Sequence, residues 1–187
     1  CIRDRAYLTA SAQSENELPY GNIVAQNENA AFLHYQLQKR ECAAAQRSLL
    51  IDAGGAFRGY ASDITRTYLK TDANATNETD SVFLELLERM QTHQDKLIAA
   101  IAPEQNYVAL QQLMHQQLAH ILVDTNILRC SATEAFERHL TEVFCPHGLG
   151  HLLGLQVHDV GGQQISATGD LQPPPENYPS LRFTRPI

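Results

Sequence analysis

Two aspartates, Asp52 and Asp63, are the residues best placed to do chemistry. They lie in the run LLIDAGGAFRGYASDITRTY at residues 49–68, on two short β-prone stretches around a glycine-rich loop. A hairpin whose loop covers 55–59, centred between Phe57 and Arg58, sets Asp52 directly opposite Asp63. Residues opposed in this way have Cβ atoms about 4.5–5.5 Å apart on one face of the sheet. Two carboxylates that close repel each other unless something positive sits between them. A divalent metal ion, or a pair of them, is the natural countercharge.

A second cluster lies in CPHGLGHLLGLQVHDVGG at residues 145–162, which carries His147, His151 and His158. His147 and His151 have the i,i+4 spacing of a zinc-protease helix. Gly148 and Gly150 disfavour helix, and the glutamate of an HExxH motif is absent. A glycine-rich loop whose backbone approaches a site closely fits better. After it, residues 155–160 alternate as a strand, with Gln156 and His158 on one face and Val157 and Asp159 on the other. Two aspartates and a histidine suit Mn²⁺, Co²⁺ or Zn²⁺. A two-metal site, with ions about 3.5–4 Å apart, would use them to activate water. Such a site needs more ligands, and Glu28, Glu41 and Glu142 have no supporting pattern.

The elements that must position these groups follow from periodicity and turn chemistry. Residues 3–12 read as a helix end, 18–22 as a turn, 23–25 as a short strand and 31–35 as β-prone. His34 falls in that last stretch, where a lone histidine in an apolar setting reads as a satisfied core or surface residue and not a catalytic one. Residues 36–46 and 72–80 are polar connections. Apolar residues at helical spacing predict helices over 81–101 and 107–128, separated at Pro103. His93, His115 and His120 on these helices are expected to be solvated. The buried stripe of the second is expected to be Val108, Leu113, Met114, Leu118, Ile121 and Leu122. Ser131 with Glu134 forms a capping-box pattern opening a short helix to about residue 143. Prolines keep the tail from 163 onwards from forming continuous helix.

The chain has 187 residues, 43% of them hydrophobic, and a formal charge of −7. That length suggests one domain, 1–187, with a real core. The negative charge argues against nucleic acid or an anionic membrane as partner. No apolar run approaches the length of a membrane span. Four cysteines without CxxC spacing read as free thiols in a reducing cytoplasm. The triplets at 74–76 and 77–79 match a glycosylation pattern but read as polar loop. With no initiator methionine and no signal-peptide pattern, the chain is expected to be a piece of something larger.

Taken together, these stretches resemble the pita-bread metallopeptidases, which include Xaa-Pro dipeptidase (prolidase), aminopeptidase P and methionine aminopeptidase. Leu50–Gly55 (LIDAGG) followed by Ser62–Thr67 (SDITRT) resembles the first two ligand segments. His147-Gly-Leu-Gly-His151 with Val157-His158-Asp159-Val160-Gly161-Gly162 resembles the histidine segment of prolidase and aminopeptidase P. The residues before the ligands, 18–24 and 27–35, also match. The proline-rich 172–178 before 181–185 resembles bacterial prolidases in particular, some of which also hydrolyse organophosphate acid anhydrides.

The resemblance implies an α+β fold, with a curved antiparallel sheet, helices on its outer face and the site on its concave side. It implies two divalent metal ions, most readily Mn²⁺, with Co²⁺ or Zn²⁺ as alternatives. Asp52, Asp63 and His151 would be ligands, with Asp63 bridging. A hydroxide held between the metals would attack the Xaa-Pro carbonyl, and His34 and His158 would contact substrate and stabilise the tetrahedral intermediate. His147 would line the proline-side pocket. The family has two further glutamate ligands, an arginine for the substrate carboxylate and an amino-terminal domain that helps form a homodimer, all of which are expected to lie outside these 187 residues. The chain is therefore expected to be part of a catalytic domain, inactive alone. Alternatives are an aminopeptidase P-like exopeptidase, or a pita-bread module that only binds other proteins.

Overall fold

The computed structural model describes residues 2–37, 45–70 and 77–187. The chain divides into two compact units, Cys1–Ser81 with Leu153–Asp159, and Val82–Leu152 with Val160–Ile187. The expected polar connections at 36–46 and 72–80 lie largely outside the described residues, as do Cys1, Cys42 and the triplet at 74–76. Among the described residues Cys130 and Cys145 are free thiols.

The first unit opens with α1 (Ile2–Ser11), followed by a 3₁₀ turn at Glu15–Glu17. The Glu17 carboxylate accepts from the Ser14 backbone N–H and hydroxyl, both at 2.7 Å. Strand β1 (Ile23–Gln26) then pairs antiparallel with β2 (Ser48–Ala53). Strands β3 (Ala56–Phe57) and β4 (Tyr60–Ala61) form a short ribbon, and β5 (Ile64–Leu69) returns antiparallel along β2. The main sheet has the order β1-β2-β5. Ile23, Ala25 and Ala53 are its buried residues, alternating along β1 as a half-buried strand requires.

The β-prone stretch at 31–35 is not a strand. Asn27–Ala31 forms a 3₁₀ turn instead. Asn27 adopts a left-handed backbone, φ +51°, and its side chain fastens the turn to the start of β2. It accepts from the Arg47 and Ser48 N–H groups at 2.9 and 3.2 Å and donates to the Ala45 carbonyl at 2.6 Å. A side chain that satisfies backbone groups this way competes with regular pairing.

Helix α2 (Glu78–Ala99) runs from the first unit into the second, which also holds α3 (Tyr107–Asp124) and α4 (Ala132–Glu137). Each start has a polar cap. Asn77 Oδ1 accepts from Asp80 N–H, Asn106 Oδ1 from Val108 N–H, and Ser131 Oγ from Glu134 N–H. The helix expected to run to residue 143 stops earlier. His139 takes a left-handed backbone, φ +57°, and a 3₁₀ turn follows at Leu140–Val143.

The core of the second unit forms around Leu97, Met114, Leu118 and Leu122, with Leu113, Leu128, Cys145 and Leu149 packed against it. The stripe on α3 is wider than expected and takes in Leu110, Gln111, His115 and Ala119. The expectation of three solvated histidines fails for two of them. His93 is 6% exposed and His115 2%; His120 is exposed. Each buried ring has polar partners. His93 Nδ1 lies 2.7 Å from Gln117 Oε1, and His115 lies 3.0 Å from both Gln111 and Thr141. Those partners offset the cost of taking an imidazole out of water. No helix among the described residues is long and apolar enough to cross a membrane.

Candidate metal centre

Asp52 occupies the last turn-facing part of β2, and Asp63 the break between β4 and β5. The register differs from the one expected. Asp52 is directly opposite Thr65, and Ala56 opposite Ala61. The loop is a two-residue turn, Arg58-Gly59, with φ of +52° and +86°. That left-handed pair twists as the flanking strands do, the usual geometry of a tight hairpin. The error amounts to two residues, and side chains alternate with period two, so Asp63 stays on the face that Asp52 occupies.

The two carboxylates converge on one hydroxyl. Tyr20 Oη lies 2.7 Å from Asp52 Oδ1 and 2.8 Å from Asp63 Oδ1. Gly54 allows the strands to close this far. A Cβ there would sit 1.9 Å from the Ser62 carbonyl oxygen and 2.7 Å from the Tyr20 ring. The Ser62 N–H donates to the Gly55 carbonyl at 2.8 Å, and Gly55 N–H donates to Ser62 Oγ at 3.0 Å. The residues after α1 hold the same ribbon, where Gln13 donates to the Ala56 carbonyl at 2.5 Å and accepts from Ala56 N–H at 3.1 Å.

Burial pushes the Asp52 carboxyl above its ordinary range; the Tyr20 hydrogen bond pulls the other way, and the neighbouring Asp63 charge raises it. Burial and the same two carboxylates push the Tyr20 hydroxyl well above the ordinary tyrosine value. Tyr20 carries one proton and faces two acceptors, so it can donate to only one at a time. The sequence reads 18–22 as a turn, and although 18–24 carries part of the family resemblance, the Pro-Tyr-Gly context gives Tyr20 no chemical role of its own.

His158 joins the first unit through residues 153–159. The Ala61 N–H donates to the Gly154 carbonyl at 2.8 Å, which sets this segment beside β4. The strand expected at 155–160 does not form. Asp159 Oδ2 accepts from Gln156 N–H at 3.2 Å, and Gly154 N–H donates to the Gln156 carbonyl at 3.2 Å, folding the stretch into bends. His158 is nonetheless brought to the site, with ligand atoms of Asp63 and His158 within 4.8 Å of each other. His34 is exposed, in the turn after Asn27–Ala31.

His147 and His151 belong to the second unit. His147 is exposed and lines an open cleft of about 380 Å³ with Gln111, His115, Glu142 and Tyr178. His151 is half-buried, its Nδ1 3.0 Å from the Leu152 carbonyl oxygen. A carbonyl only accepts, so the ring proton sits on Nδ1 and Nε2 keeps the lone pair that a metal takes.

These donors suit a divalent cation. Hard carboxylate oxygens and imidazole nitrogen match the Mn²⁺–Zn²⁺ range. The Asp52–Asp63 approach, held by a single hydroxyl proton, is one that a cation would relieve.

Comparison with known proteins agrees with this chemistry. Residues 3–177 match metallopeptidase family M24. The chain is 48% identical over 183 residues to the Xaa-Pro dipeptidase of Pseudoalteromonas haloplanktis, covering 98% of this chain and 40% of that protein. It is 47% identical over 181 residues to the Xaa-Pro dipeptidase of Shewanella woodyi, covering 97% of this chain and 39% of that protein. The chain thus spans about two fifths of the length of these relatives. Among solved structures, it resembles Escherichia coli aminopeptidase P with the inhibitor Pro-Leu, at TM-score 0.64 and 30% identity over 76% of this chain and 31% of that one. It also resembles proline aminopeptidase P II from Yersinia pestis, at TM-score 0.65 and 28% identity over 82% of this chain and 34% of that one. The fold is the pita-bread fold expected from the sequence, and the chain belongs to metallopeptidase family M24.

Proposed function

We propose that this chain carries the first ligand segments of a metal-dependent Xaa-Pro dipeptidase. The observation that bears most weight is the convergence of Asp52 and Asp63 on one hydroxyl, with an oxygen of Asp63 within 4.8 Å of a His158 nitrogen. Identity of 48% to a named Xaa-Pro dipeptidase, against 30% to aminopeptidase P, favours the dipeptidase over the longer-substrate exopeptidase. A protein-binding module without catalysis would have no need of Asp52, Asp63, His151, His34 and His158 together.

In this reading Asp52, Asp63 and His151 hold two divalent ions, with Mn²⁺ preferred. When bound, the ions supply Lewis acidity and a more acidic water. The chain's own residues do the rest. Asp63 would be the ligand shared by both ions, and the Tyr20 hydroxyl it faces together with Asp52 orients the two carboxylates. His34 and His158 donate to the oxygen that gains charge as the peptide carbonyl is attacked. His147 packs against the proline side of the substrate. The same reading carries a homodimer in the cytoplasm and side activity on organophosphate acid anhydrides. By itself the 187-residue chain binds Mn²⁺ weakly and does not cleave Gly-Pro, because three ligands are too few for two metals.

The test uses a protein of the relatives' full length. There, His151→Ala should cost metal occupancy, while His158→Ala should lower turnover of Gly-Pro with metal retained. Equal metal loss in both variants would defeat this division of roles. Vigorous Gly-Pro hydrolysis by the 187-residue chain, abolished by Asp63→Ala, would defeat the claim that it is inactive alone.

A further inference from the structure

We propose that Gln111 on α3 is the positioning residue of the loop at 147–151, and that His115 holds Gln111 in the orientation that does so. The inference rests on the roles proposed above for His147 and His151. It concerns a polar pair in a helix stripe that would otherwise be filled by leucines.

Gln111 and His115 lie one turn apart on α3, and each is 2% exposed. Burying a carboxamide and an imidazole costs free energy unless both are well partnered. The partners show what the pair accomplishes. Leu149 N–H donates to Gln111 Oε1 at 2.6 Å, and Gln111 Nε2 reaches the His147 carbonyl oxygen at 3.5 Å. One side chain on a rigid helix therefore touches the loop backbone on both sides of Gly148. The loop has no strand or helix of its own, so its backbone groups need partners from elsewhere. On its other side, a Cβ on Gly148 would sit 2.5 Å from Leu181 Cα, so the loop is pressed against the tail.

The orientation of the carboxamide follows from its partner. A backbone N–H can only donate, so the atom facing Leu149 is Oε1. Gln111 Nε2 therefore faces His115 Nε2, 3.0 Å away, and that ring nitrogen must accept. The His115 proton then sits on Nδ1, 3.0 Å from Thr141 Oγ1. Tyr178 stacks on the ring with centroids 5.7 Å apart and planes 10° apart, which opposes a ring flip. The imidazole is thus held neutral, in one tautomer. Protonation would place two donors face to face at Gln111 Nε2, and turning the carboxamide to relieve that would break the Leu149 bond. The charged and titratable groups around His115 are His139 and Glu142 on the 3₁₀-turn side, themselves 2.8 Å apart, with Tyr178 from the tail. Cys145 and His147 line the same cleft.

The test uses ¹⁵N-labelled full chain, with Gln111→Met and Gln111→Glu variants. Long-range ¹H–¹⁵N spectra at neutral pH should show His115 as the Nδ1–H tautomer. In Q111M the Leu149 amide should exchange about tenfold faster, as expected for one lost hydrogen bond, while the amides in the middle of α3 stay protected. Mn²⁺ affinity should fall with it. In Q111E the carboxylate still accepts from Leu149, so protection should persist, and His115 should become doubly protonated at neutral pH. An Nε2–H tautomer in the parent overturns the inference, as does unchanged Leu149 exchange in a folded Q111M. If Q111M fails to fold, the tautomer and the Q111E result decide. Should the parent bind no Mn²⁺ at all, the metal reading fails, and Leu149 exchange still decides the anchor.

Discussion

Replacing Tyr20 with phenylalanine should make the metal-free chain less stable and its metal binding tighter. The hydroxyl lies 2.7 Å from Asp52 and 2.8 Å from Asp63. It carries one proton, so the variant loses one charge-assisted hydrogen bond, worth about 1.5–3 kcal/mol. Tyr20 is half-buried, which places the loss near the lower end, about 1.5–2 kcal/mol. For a chain of this size each kcal/mol moves the melting temperature by about 2–4 °C, so a drop of roughly 3–8 °C is expected. The two carboxylates would also be left facing each other with nothing between them. A cation that binds both must break the Tyr20 hydrogen bond in the parent but not in the variant. Mn²⁺ affinity of Tyr20→Phe should therefore rise by roughly tenfold, the equivalent of about 1.4 kcal/mol. Differential scanning calorimetry without metal and titration calorimetry with MnCl₂ give the two numbers. An unchanged melting temperature together with weaker Mn²⁺ binding would refute the account, since Tyr20 would then be part of the metal-bound site and not its competitor.

Two further outcomes follow from the same contacts. Gly54→Ala should separate β2 from the Asp63 segment, because the new Cβ would meet the Ser62 carbonyl at 1.9 Å. A loss of several kcal/mol in stability and of measurable Mn²⁺ binding is expected in denaturant titrations, and a wild-type affinity in this variant would show that the close approach is dispensable. Stability should also depend on pH through the two buried histidines. Burial holds His93 and His115 below the ordinary value of 6.5, so the unfolded chain takes up their protons first as pH falls. Their contribution is complete above about 6.5 and declines as the pH drops below that toward their lowered folded values. The melting temperature should fall across this window, and the slope should flatten in His115→Gln; an identical slope in that variant would count against the assignment. Asp52, whose carboxyl is raised, acts in the opposite sense at lower pH, and the comparison of parent with His115→Gln cancels it.

The long helices were legible because their apolar residues recur at helical spacing over many turns. Their ends were misplaced by a few residues: 81–101 was expected for Glu78–Ala99, and 107–128 for Tyr107–Asp124. The buried histidines were missed for a different reason. Hydropathy treats His115 as polar, and what buries it is a set of partners, Gln111, Thr141 and Tyr178, the last two far off in the chain. A positional signal did exist. Gln111, His115, Leu118 and Leu122 are spaced as one helix face, so a polar pair sat inside an apolar stripe. The strand at 155–160 fails where a side chain outcompetes pairing, Asp159 accepting from the Gln156 N–H; at 31–35 the backbone leaves a 3₁₀ turn instead, with the Phe32 N–H on the Asn29 carbonyl. Alternation over five or six residues carries too little weight to resist one well-placed carboxylate or a local turn.

The site survived an error in the register because of the symmetry of the pleat. The loop was expected to be centred between Phe57 and Arg58; it is centred between Arg58 and Gly59, with Phe57 opposite Tyr60. Moving a hairpin centre by one residue changes every partner by two, which returns each side chain to the same face. Asp52 exchanged Asp63 for Thr65 as its direct partner, yet both carboxylates still point to one side. A centre displaced by half a residue would have changed each partner by one and put Asp63 on the opposite face. Sequence therefore specified the face robustly and the distance poorly. The distance is set by Gly54, which lets the strands close, and by Tyr20, which comes from more than thirty residues earlier to lie 2.7 and 2.8 Å from the two acids. Spacing along a hairpin cannot encode a contact made by a side chain outside it, and for that reason the hydroxyl between the carboxylates became visible only in the folded chain.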